Sequence, residues 1–314
     1  MITHTPSKAF VWLLSVLALY SSSINSSGQS DLFGVQIRAS SPDPQPRWQL
    51  FNNINDDSIV SNPLNTLFND GSGVYGAAIR DGVFYQVELM NNSAQYFFAT
   101  TATEGNSTTT RVGQADIGFG DVEGLANVEG QLMGISLDFP GHVSRLISID
   151  HTTGLGTLIG QGSFNVILRG LAYDPIAKIL YGAGIPWGDG ETAVNENNLY
   201  RINTSTGATS LIGDMSTRLE SLAWTANLRL VGAFDHLYKI NNTTGAATQI
   251  GDGDFTAGLG TSQGSINGIW ALAGTVNLDD IELLSFSITS VSLNSEGQLE
   301  LIWDSESGLS FTPI

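Results

Sequence analysis

Three stretches of the chain repeat one pattern of apolar and polar positions. They align without a gap over fifteen residues: LISIDHTTGLGTLIG (146–160), LYRINTSTGATSLIG (199–213) and LYKINNTTGAATQIG (237–251). Each stretch begins with strand-like residues, passes through a polar turn ending in Thr-Gly, and closes on a second strand that ends in Ile-Gly. Two apolar runs on either side of a glycine-containing turn are typical of a β-hairpin. The sequence therefore predicts a β-hairpin at each position.

The residues of the predicted turns suit their positions. The first turn residue can accept backbone hydrogen bonds through its side-chain oxygen, and the glycine four residues later can take a positive φ. The acceptors are Asp150, Asn203 and Asn241. The glycines are Gly154, Gly207 and Gly245.

A second unit precedes each hairpin. Its copies are EGLANVEGQLMG (123–134), RGLAYDPIAKILYG (169–182) and ESLAWTANLRLVG (220–232), and each copy predicts two strands around a short turn. Only the connection between the two units varies in length, as expected for a surface loop. Two hairpins in succession give a repeat of four antiparallel strands.

The four-stranded repeat recurs every 46 to 51 residues, at Leu125, Leu171, Leu222 and Ile269. A period of this size with four strands is typical of the blades of a β-propeller. A β-sandwich array or a parallel solenoid is the alternative.

The repeat resembles the blades of secreted bacterial β-propellers, which have the form GLA.D…LYG…LYRID..TG..T.IG. The resemblance covers residues 122–251 clearly, and about 31–277 with partial copies. It implies the propeller fold but no single activity, because propellers include lyases, phytases, quinoproteins, lectins and scaffolds.

Partial copies extend the repeat toward the N-terminus. GVYGAA (73–78) matches the second strand ILYGAG (179–184), and VFYQVEL (83–89) matches a third strand. RVG (111–113) then closes an expanded hairpin.

The remaining partial copies come from both ends of the chain. INGIWALAG (266–274) matches a first strand, while DLFGVQI (31–37) and RWQLF (47–51) supply a second and a third. We therefore predict an all-β chain whose residues 31–277 form a β-propeller of about five four-stranded blades. Its ring is closed by N- and C-terminal strands, which removes exposed sheet edges.

The N-terminal residues 1–30 predict a signal peptide. Lys8 precedes the apolar run AFVWLLSVLALY (9–20), and a serine-rich stretch follows. Twelve apolar residues are fewer than the roughly 20 that a membrane-spanning helix needs. We expect a protein that is secreted or held at the cell surface, without a membrane span.

Residues 278–314 predict a separate β-rich segment. The strands SITSVSLN, GQLELIWDS and LSFTPI resemble the start of a C-terminal β-sandwich module found on many secreted bacterial proteins. Because that module continues through several more strands, the resemblance implies a truncated tail.

Composition excludes several classes of protein. The 314 residues carry 30 acidic and 12 basic side chains, for a net charge of -18, which argues against a nucleic-acid partner. With 41% hydrophobic residues, the chain can form a core. The absence of cysteine excludes disulfides, thiolate nucleophiles and cysteine-ligated metals.

The best candidate binding residues come from the repeat itself. The first strand of a blade lines the central channel, and one polar residue precedes a small residue there in each copy: Glu123, Arg169, Glu220 and Asn267. The small neighbours let backbones approach closely near the axis. These side chains could form a ring that binds a small polar ligand. Alternatively, they form salt bridges and hydrogen bonds between blades that close the ring.

Other chemistry has little support. His142, His151 and His236 have no metal-ligand spacing, so we predict no metal centre of this kind. Trp187, Trp224 and Trp270 fit blade packing better than cofactor stacking, and no cofactor is expected. A structural Ca²⁺ could bind the acidic turns at 70–72, 189–191 and 252–254, although solvated turns explain them equally well.

These features predict an exported, non-enzymatic binding or scaffold propeller. We expect a monomer whose partner is an extracellular ligand, either a glycan or a protein. One alternative is a propeller-type lyase or hydrolase using polar residues at the channel mouth; the scarcity of lysines after export, Lys178 and Lys239 alone, weakens it. A cell-surface or matrix structural component is the other alternative.

Overall fold

A computed structural model gives the architecture of the chain. It describes residues 32–37, 47–52, 60–63, 73–89, 95–103, 106–113, 115–138, 143–164, 166–186, 197–225, 230–251, 268–274, 287–293 and 299–304. Within these ranges the chain forms strands and turns and no helix.

The strands are numbered along the chain. They are β1 (Leu32–Ile37), β2 (Arg47–Asn52), β3 (Val60–Pro63), β4 (Gly73–Arg80), β5 (Val83–Leu89), β6 (Gln95–Thr103), β7 (Asn106–Arg111), β8 (Val122–Val128), β9 (Gln131–Asp138), β10 (Val143–Ile149), β11 (Gly156–Phe164), β12 (Val166–Asp174), β13 (Ile179–Pro186), β14 (Asn198–Ile202), β15 (Thr209–Asp214), β16 (Ser221–Trp224), β17 (Leu230–Ala233), β18 (Leu237–Ile240), β19 (Ala247–Ile250), β20 (Gly268–Gly274), β21 (Ser287–Leu293) and β22 (Leu299–Asp304).

Four blades are built from consecutive strands: β4–β7, β8–β11, β12–β15 and β16–β19. Each is a four-stranded antiparallel meander, and the first strands of successive blades contact one another. This arrangement is that of a β-propeller, as predicted. The number of blades formed by consecutive strands is four rather than about five.

A further four-stranded sheet mixes strands from distant parts of the chain, in the order β20-β1-β2-β3. β1 lies second and β2 third, the positions predicted for residues 31–37 and 47–51. In β20, Ala271 and Ala273 pack against Val74 of β4, while Leu272 packs against Val231 of β17. β21 and β22 form a separate two-stranded sheet.

Residues 73–89 occupy different strands from those predicted. β4 is the first strand of its blade and not the second, and β5 is the second and not the third. The letters Tyr-Gly-Ala occur in both kinds of strand, so the match to residues 179–184 was misleading. The structural difference lies in Gly76, where a Cβ would come within 2.9 Å of the Gly124 carbonyl carbon in the next blade. Gly124 and Gly170 make equivalent close approaches from the first strands of the next two blades, so Gly76 occupies the first-strand position.

The predicted hairpin turns are confirmed in detail. In each, the side-chain oxygen of the first turn residue accepts two backbone N–H groups; Asn203 Oδ1, for example, accepts from Ser205 and Thr206 at 3.0 Å each. Asp150 and Asn241 make the equivalent pairs of bonds. The glycines that follow have φ values of +73°, +75° and +83°, in the order Gly154, Gly207 and Gly245.

The hairpin turns also explain the glycine that ends each repeat. In the first two copies this glycine, Gly160 or Gly213, lies against the turn of the next blade, with no room for a side chain. A Cβ on Gly160 would lie 2.2 Å from the Thr206 carbonyl oxygen, and one on Gly213 would lie 2.0 Å from that of Thr244. Contacts of this kind essentially never occur for real Cβ atoms, so the Ile-Gly signature records the packing of one blade on the next.

Candidate functional site

The first strands bring three of the four predicted site residues together. Glu123 lies in β8, Arg169 in β12, and Glu220 immediately before β16. Asn267 lies outside the described residues. The small residues beside them act as predicted: a Cβ on Gly124 would lie 2.6 Å from the Arg169 carbonyl oxygen. Backbones of neighbouring blades therefore meet where these side chains emerge.

A single guanidinium group joins the two acidic side chains. Arg169 Nη1 donates to Glu220 Oε2 at 2.9 Å, and the same nitrogen lies 3.9 Å from Glu123 Oε2. Arg218 contacts the other oxygen of Glu220 through Nη2 and Nε. Glu220 is thus held by two arginines, whereas Glu123 is only loosely paired.

Three members of this group were missed by the sequence analysis: Tyr75, Arg218 and Phe234. Phe234 follows β17 and packs against Tyr75 of β4, and the guanidinium carbon of Arg218 lies 4.3 Å from the centre of the Phe234 ring. Tyr75 precedes Gly76 just as Glu123 precedes Gly124, so the small-residue pattern contained the signal. Misassignment of residues 73–89 hid it.

We call these six residues the inner-strand cluster: Tyr75, Glu123, Arg169, Arg218, Glu220 and Phe234. Its arginines are the most accessible of its charged members. The side chains of Arg169 and Arg218 are 25% and 31% exposed, while those of Glu123 and Glu220 are 11% and 2% exposed. A ligand approaching the cluster would therefore meet the guanidinium groups first.

Burial makes Glu123 a weaker acid than an ordinary glutamate. Loss of hydration raises the pKa of Glu123 to about 7, and the negative charges of Glu220 and Asp121 add to this effect against the opposing charge of Arg169. Burial also raises the pKa of Tyr75, with a contribution from Glu123. For Arg169, burial alone would lower the pKa, but the two glutamates outweigh it and the pKa is raised. Arg169 stays cationic, and Glu123 changes charge near neutral pH.

Recurring polar clamps hold the backbone beside three of the six cluster residues, Glu123, Arg169 and Glu220. A side chain near the start of the third strand of one blade bonds the backbone in, or just before, the first strand of the next blade. Gln95 pairs with both the N–H and the C=O of Val122. Ser144 bonds Val166 and Leu168 in the next blade, and Asn197 donates to the Leu219 carbonyl. Val122, Leu168 and Leu219 directly precede Glu123, Arg169 and Glu220, so the clamps position the cluster.

Removing one clamp is expected to destabilise the protein measurably. In Asn197→Ala, the carbonyl of the fully buried Leu219 loses its side-chain donor, a loss of about 1–3 kcal/mol. Equilibrium unfolding in urea measures it. Asn198→Ala is the matched control, since the one side-chain hydrogen bond of Asn198 within the described residues is a 3.4 Å contact with the Tyr200 hydroxyl. Equal losses in the two variants would contradict the clamp.

The remaining candidates do not join the cluster. His151 is exposed in its turn, with its ring 6.3 Å from that of Tyr85. His236 Nδ1 lies 3.3 Å from Asp235, and Trp224 stacks on Tyr181 at 5.9 Å as a packing residue. The other residues named earlier, His142, Trp187 and the three acidic turns, lie outside the described residues, as does the Trp270 side chain.

The described part of the chain lacks two further features. No group of three or more His, Asp or Glu side chains there could hold a metal ion. Nor does that part contain a helix of the length and hydrophobicity needed to cross a membrane.

The fold and the cluster together define a β-propeller with a charged group on its first strands. No family model and no curated protein sequence matches the chain. Solved structures of similar shape include the following three. TolB from Acinetobacter baumannii is 11% identical with a TM-score of 0.44, over 76% of this chain and 57% of TolB.

The other two are glycoside hydrolases. An exo-β-1,3-galactanase from Phanerochaete chrysosporium, solved with β-1,3-galactotriose, is 9% identical with a TM-score of 0.47, over 71% of this chain and 60% of that one. An engineered GH43 enzyme with endo-xylanase and exo-arabinofuranosidase activity is 8% identical with a TM-score of 0.47, over 88% and 51%. This chain thus spans less than two thirds of the length of each of the three proteins. Likenesses of this degree assign it neither an activity nor a ligand.

Proposed function

We propose that this protein is an exported, non-enzymatic β-propeller that binds a small polar ligand at the inner-strand cluster. One observation carries the proposal: charged side chains from the two neighbouring blades converge on Arg169, which remains a quarter exposed. A partly exposed guanidinium is a common element of carboxylate and phosphate recognition, because its planar N–H groups can pair with two oxygens at once. The loose Arg169–Glu123 contact of 3.9 Å leaves the cation open to a competing partner.

A ligand screen by thermal unfolding tests this function. The full chain is melted with soluble polysaccharides, their monosaccharides and simple organic acids, and with calcium or a chelator. A ligand that binds only the folded state at 100 times its Kd adds about 2.7 kcal/mol to stability, a readily measured shift. The shift should disappear in Arg169→Gln and persist in Glu129→Gln, which breaks an exposed ion pair with Lys178 at 3.0 Å.

A screen without any shift that depends on Arg169 would assign the cluster a structural role. If no compound shifts the melting temperature, or if every shift survives in Arg169→Gln, the cluster is a set of contacts that closes the ring. A calcium-dependent shift would instead indicate that the protein binds Ca²⁺, for which the acidic turns are the candidate sites.

A hydrolase is the second candidate function, because the two glutamates have different environments. Glu220 is bound by two arginines, while burial holds Glu123 partly protonated at neutral pH. Both carboxylates contact Arg169 Nη1, so these oxygens are separated by less than about 7 Å, a range that includes the spacing of about 5–5.5 Å in retaining glycosidases. Release of reducing sugar from polysaccharides, lost in both Glu123→Gln and Glu220→Gln, would establish it. The guanidinium between the carboxylates favours binding over hydrolysis.

We further propose that the mixed sheet β20-β1-β2-β3 is a fifth blade that closes the ring. The contacts of β20 with β4 and with β17 support this, since they connect the first and last blades of consecutive strands. Deleting residues 1–63 removes three of its four strands. The deletion should abolish cooperative unfolding of the whole propeller, whereas unchanged stability would mean that the four blades fold without closure.

Export is a proposal of its own. It rests on the order of charged, apolar and small residues in the first 30 positions. N-terminal sequencing of the protein recovered from a culture medium should begin near residue 31, and an intact N-terminus would overturn it.

A further inference from the structure

Among the described residues, the carboxylate contacts of Arg169 all involve one guanidinium nitrogen, Nη1. Arginine offers five N–H groups in a planar fork, suited to bidentate pairing with a carboxylate. Arg218 is about a third exposed and bonds the opposite oxygen of Glu220, so both guanidinium groups flank the same buried anion.

Glu123 is the only member of the cluster whose pairing is loose. Its carboxylate sits 3.9 Å from Arg169 Nη1, at the outer limit of an ion pair, although its side chain is only 11% exposed. A buried carboxylate without a close partner is more stable in its neutral form. In that form Glu123 leaves the charge of Arg169 available.

We propose that the inner-strand cluster binds a ligand carboxylate on Arg169 and Arg218, and that binding is accompanied by uptake of one proton on Glu123. This inference rests on the proposed binding function and names the chemical class of its ligand. The incoming carboxylate takes over the electrostatic role of Glu123, which becomes neutral as a result.

The charges around Glu123 support this exchange. Tyr75 faces it from β4, Asp121 from the segment before β8, Arg169 from β12, and Arg218 and Glu220 from the segment before β16. With Glu123 ionised, these groups contain three carboxylates and two guanidinium groups. Protonation of Glu123 balances the charges. An anionic ligand therefore binds best to the protonated site, and its affinity falls as pH rises.

Isothermal titration calorimetry with a matched pair of probes tests the inference. Galacturonate and galactose differ in the carboxylate that the proposal requires; acetate and succinate serve as simpler carboxylates. Galacturonate should bind at pH 5.5 and weaken about tenfold per pH unit above the pKa of Glu123, while galactose should bind far more weakly. Titrations at pH 8 in two buffers of different ionisation enthalpy should report about one proton taken up.

Two variants test whether Glu123 is the group that takes up the proton. Glu123→Gln should bind galacturonate with no proton uptake and with the same affinity at pH 5.5 and pH 8. His236→Asn, which removes the histidine two residues after Phe234 and introduces the residue found at the equivalent position 198, should retain the proton uptake of the natural protein.

Several results would overturn the inference. These are equal affinity for galactose and galacturonate, undiminished proton uptake in Glu123→Gln, or no binding of any of the three carboxylates at pH 5.5. If galactose or another neutral sugar binds, and this binding is lost in Arg169→Gln, the ligand does not need a carboxylate. The proposed binding function would then stand, but this inference would not.

Discussion

Replacing Gly160 by alanine is expected to destabilise the protein by about 3–4 kcal/mol. Two effects combine at this position. Gly160 has a φ of +67°, a backbone conformation that L-amino acids adopt only with strain, and its Cβ would lie 2.2 Å from the Thr206 carbonyl oxygen. Because the obstructing atom belongs to the backbone of the next blade, the contact cannot be relieved by rotating a side chain. The two blades must separate or the turn must shift.

The chain contains glycines that separate the two effects. Gly82 has a φ of +73° and nothing within 4 Å of its Cβ position, so Gly82→Ala measures strain alone, about 1 kcal/mol. Gly213 lacks the positive φ but its Cβ would lie 2.0 Å from the Thr244 carbonyl oxygen, so Gly213→Ala measures the blade contact alone, about 2 kcal/mol. Equilibrium unfolding in urea gives all three values.

The order of the three losses is the test. If Gly160→Ala is no more damaging than Gly82→Ala, the glycine that ends each repeat serves the local backbone and not the packing between blades. The predicted order, with Gly160→Ala the largest, would make this glycine the residue that fixes the spacing of the blades.

The internal repeat was enough to predict the blades from the sequence, but not the side-chain contacts that join one blade to the next. Turns such as that at Asn203 are local, since the acceptor, the N–H groups and the glycine lie within five residues. Contacts such as Asn197 with Leu219 join different blades, and nothing in the sequence marks the side chain that will make them. Gln95 and Ser144 fill the equivalent role with different chemistry, so the clamp has no sequence signature.

The candidate site was predicted in part for the same reason. Glu123, Arg169 and Glu220 precede small residues at equivalent positions, and this alignment was enough to place them together. Arg218 lies outside the repeated strand and Phe234 in a connection, so the repeat gave no reason to include them. The pairing of Glu220 with two arginines, and not one, follows from that missed residue.

Glu123→Gln is expected to stabilise the protein at alkaline pH, although it removes half of an ion pair. Burial raises the pKa of Glu123 from 4.5 to about 7 in the folded state, so the folded protein binds a proton that the unfolded chain releases between these values. Stability is then fully present below pH 4.5 and falls as pH rises toward 7. A shift of this size corresponds to about 3 kcal/mol, which the uncharged glutamine avoids.

Unfolding in urea at several pH values measures the effect. The natural protein and Glu123→Gln should have similar stability at pH 4.5, and the variant should be more stable by about 2–3 kcal/mol at pH 8. Glu129→Gln is the matched control, for which the expected change in stability has the opposite sign. Lys178 lowers the pKa of Glu129, so loss of the Glu129 charge in this variant should slightly reduce stability at neutral pH. Parallel curves for the natural protein and Glu123→Gln would show that Glu123 ionises as an ordinary glutamate.

The same measurement distinguishes the two interpretations of the inner-strand cluster. A residue whose purpose is to close the ring contributes stability, and its removal lowers the free energy of unfolding at every pH at which the ion pair exists. A residue retained at the expense of stability is typical of a functional site. Glu220, bound by two arginines and almost fully buried, should behave in the first way, since its replacement leaves two buried guanidinium groups without their shared partner. If Glu123→Gln stabilises the propeller while Glu220→Gln destabilises it, Glu220 is a structural closure, and Glu123 is the group that the cluster keeps for its ligand.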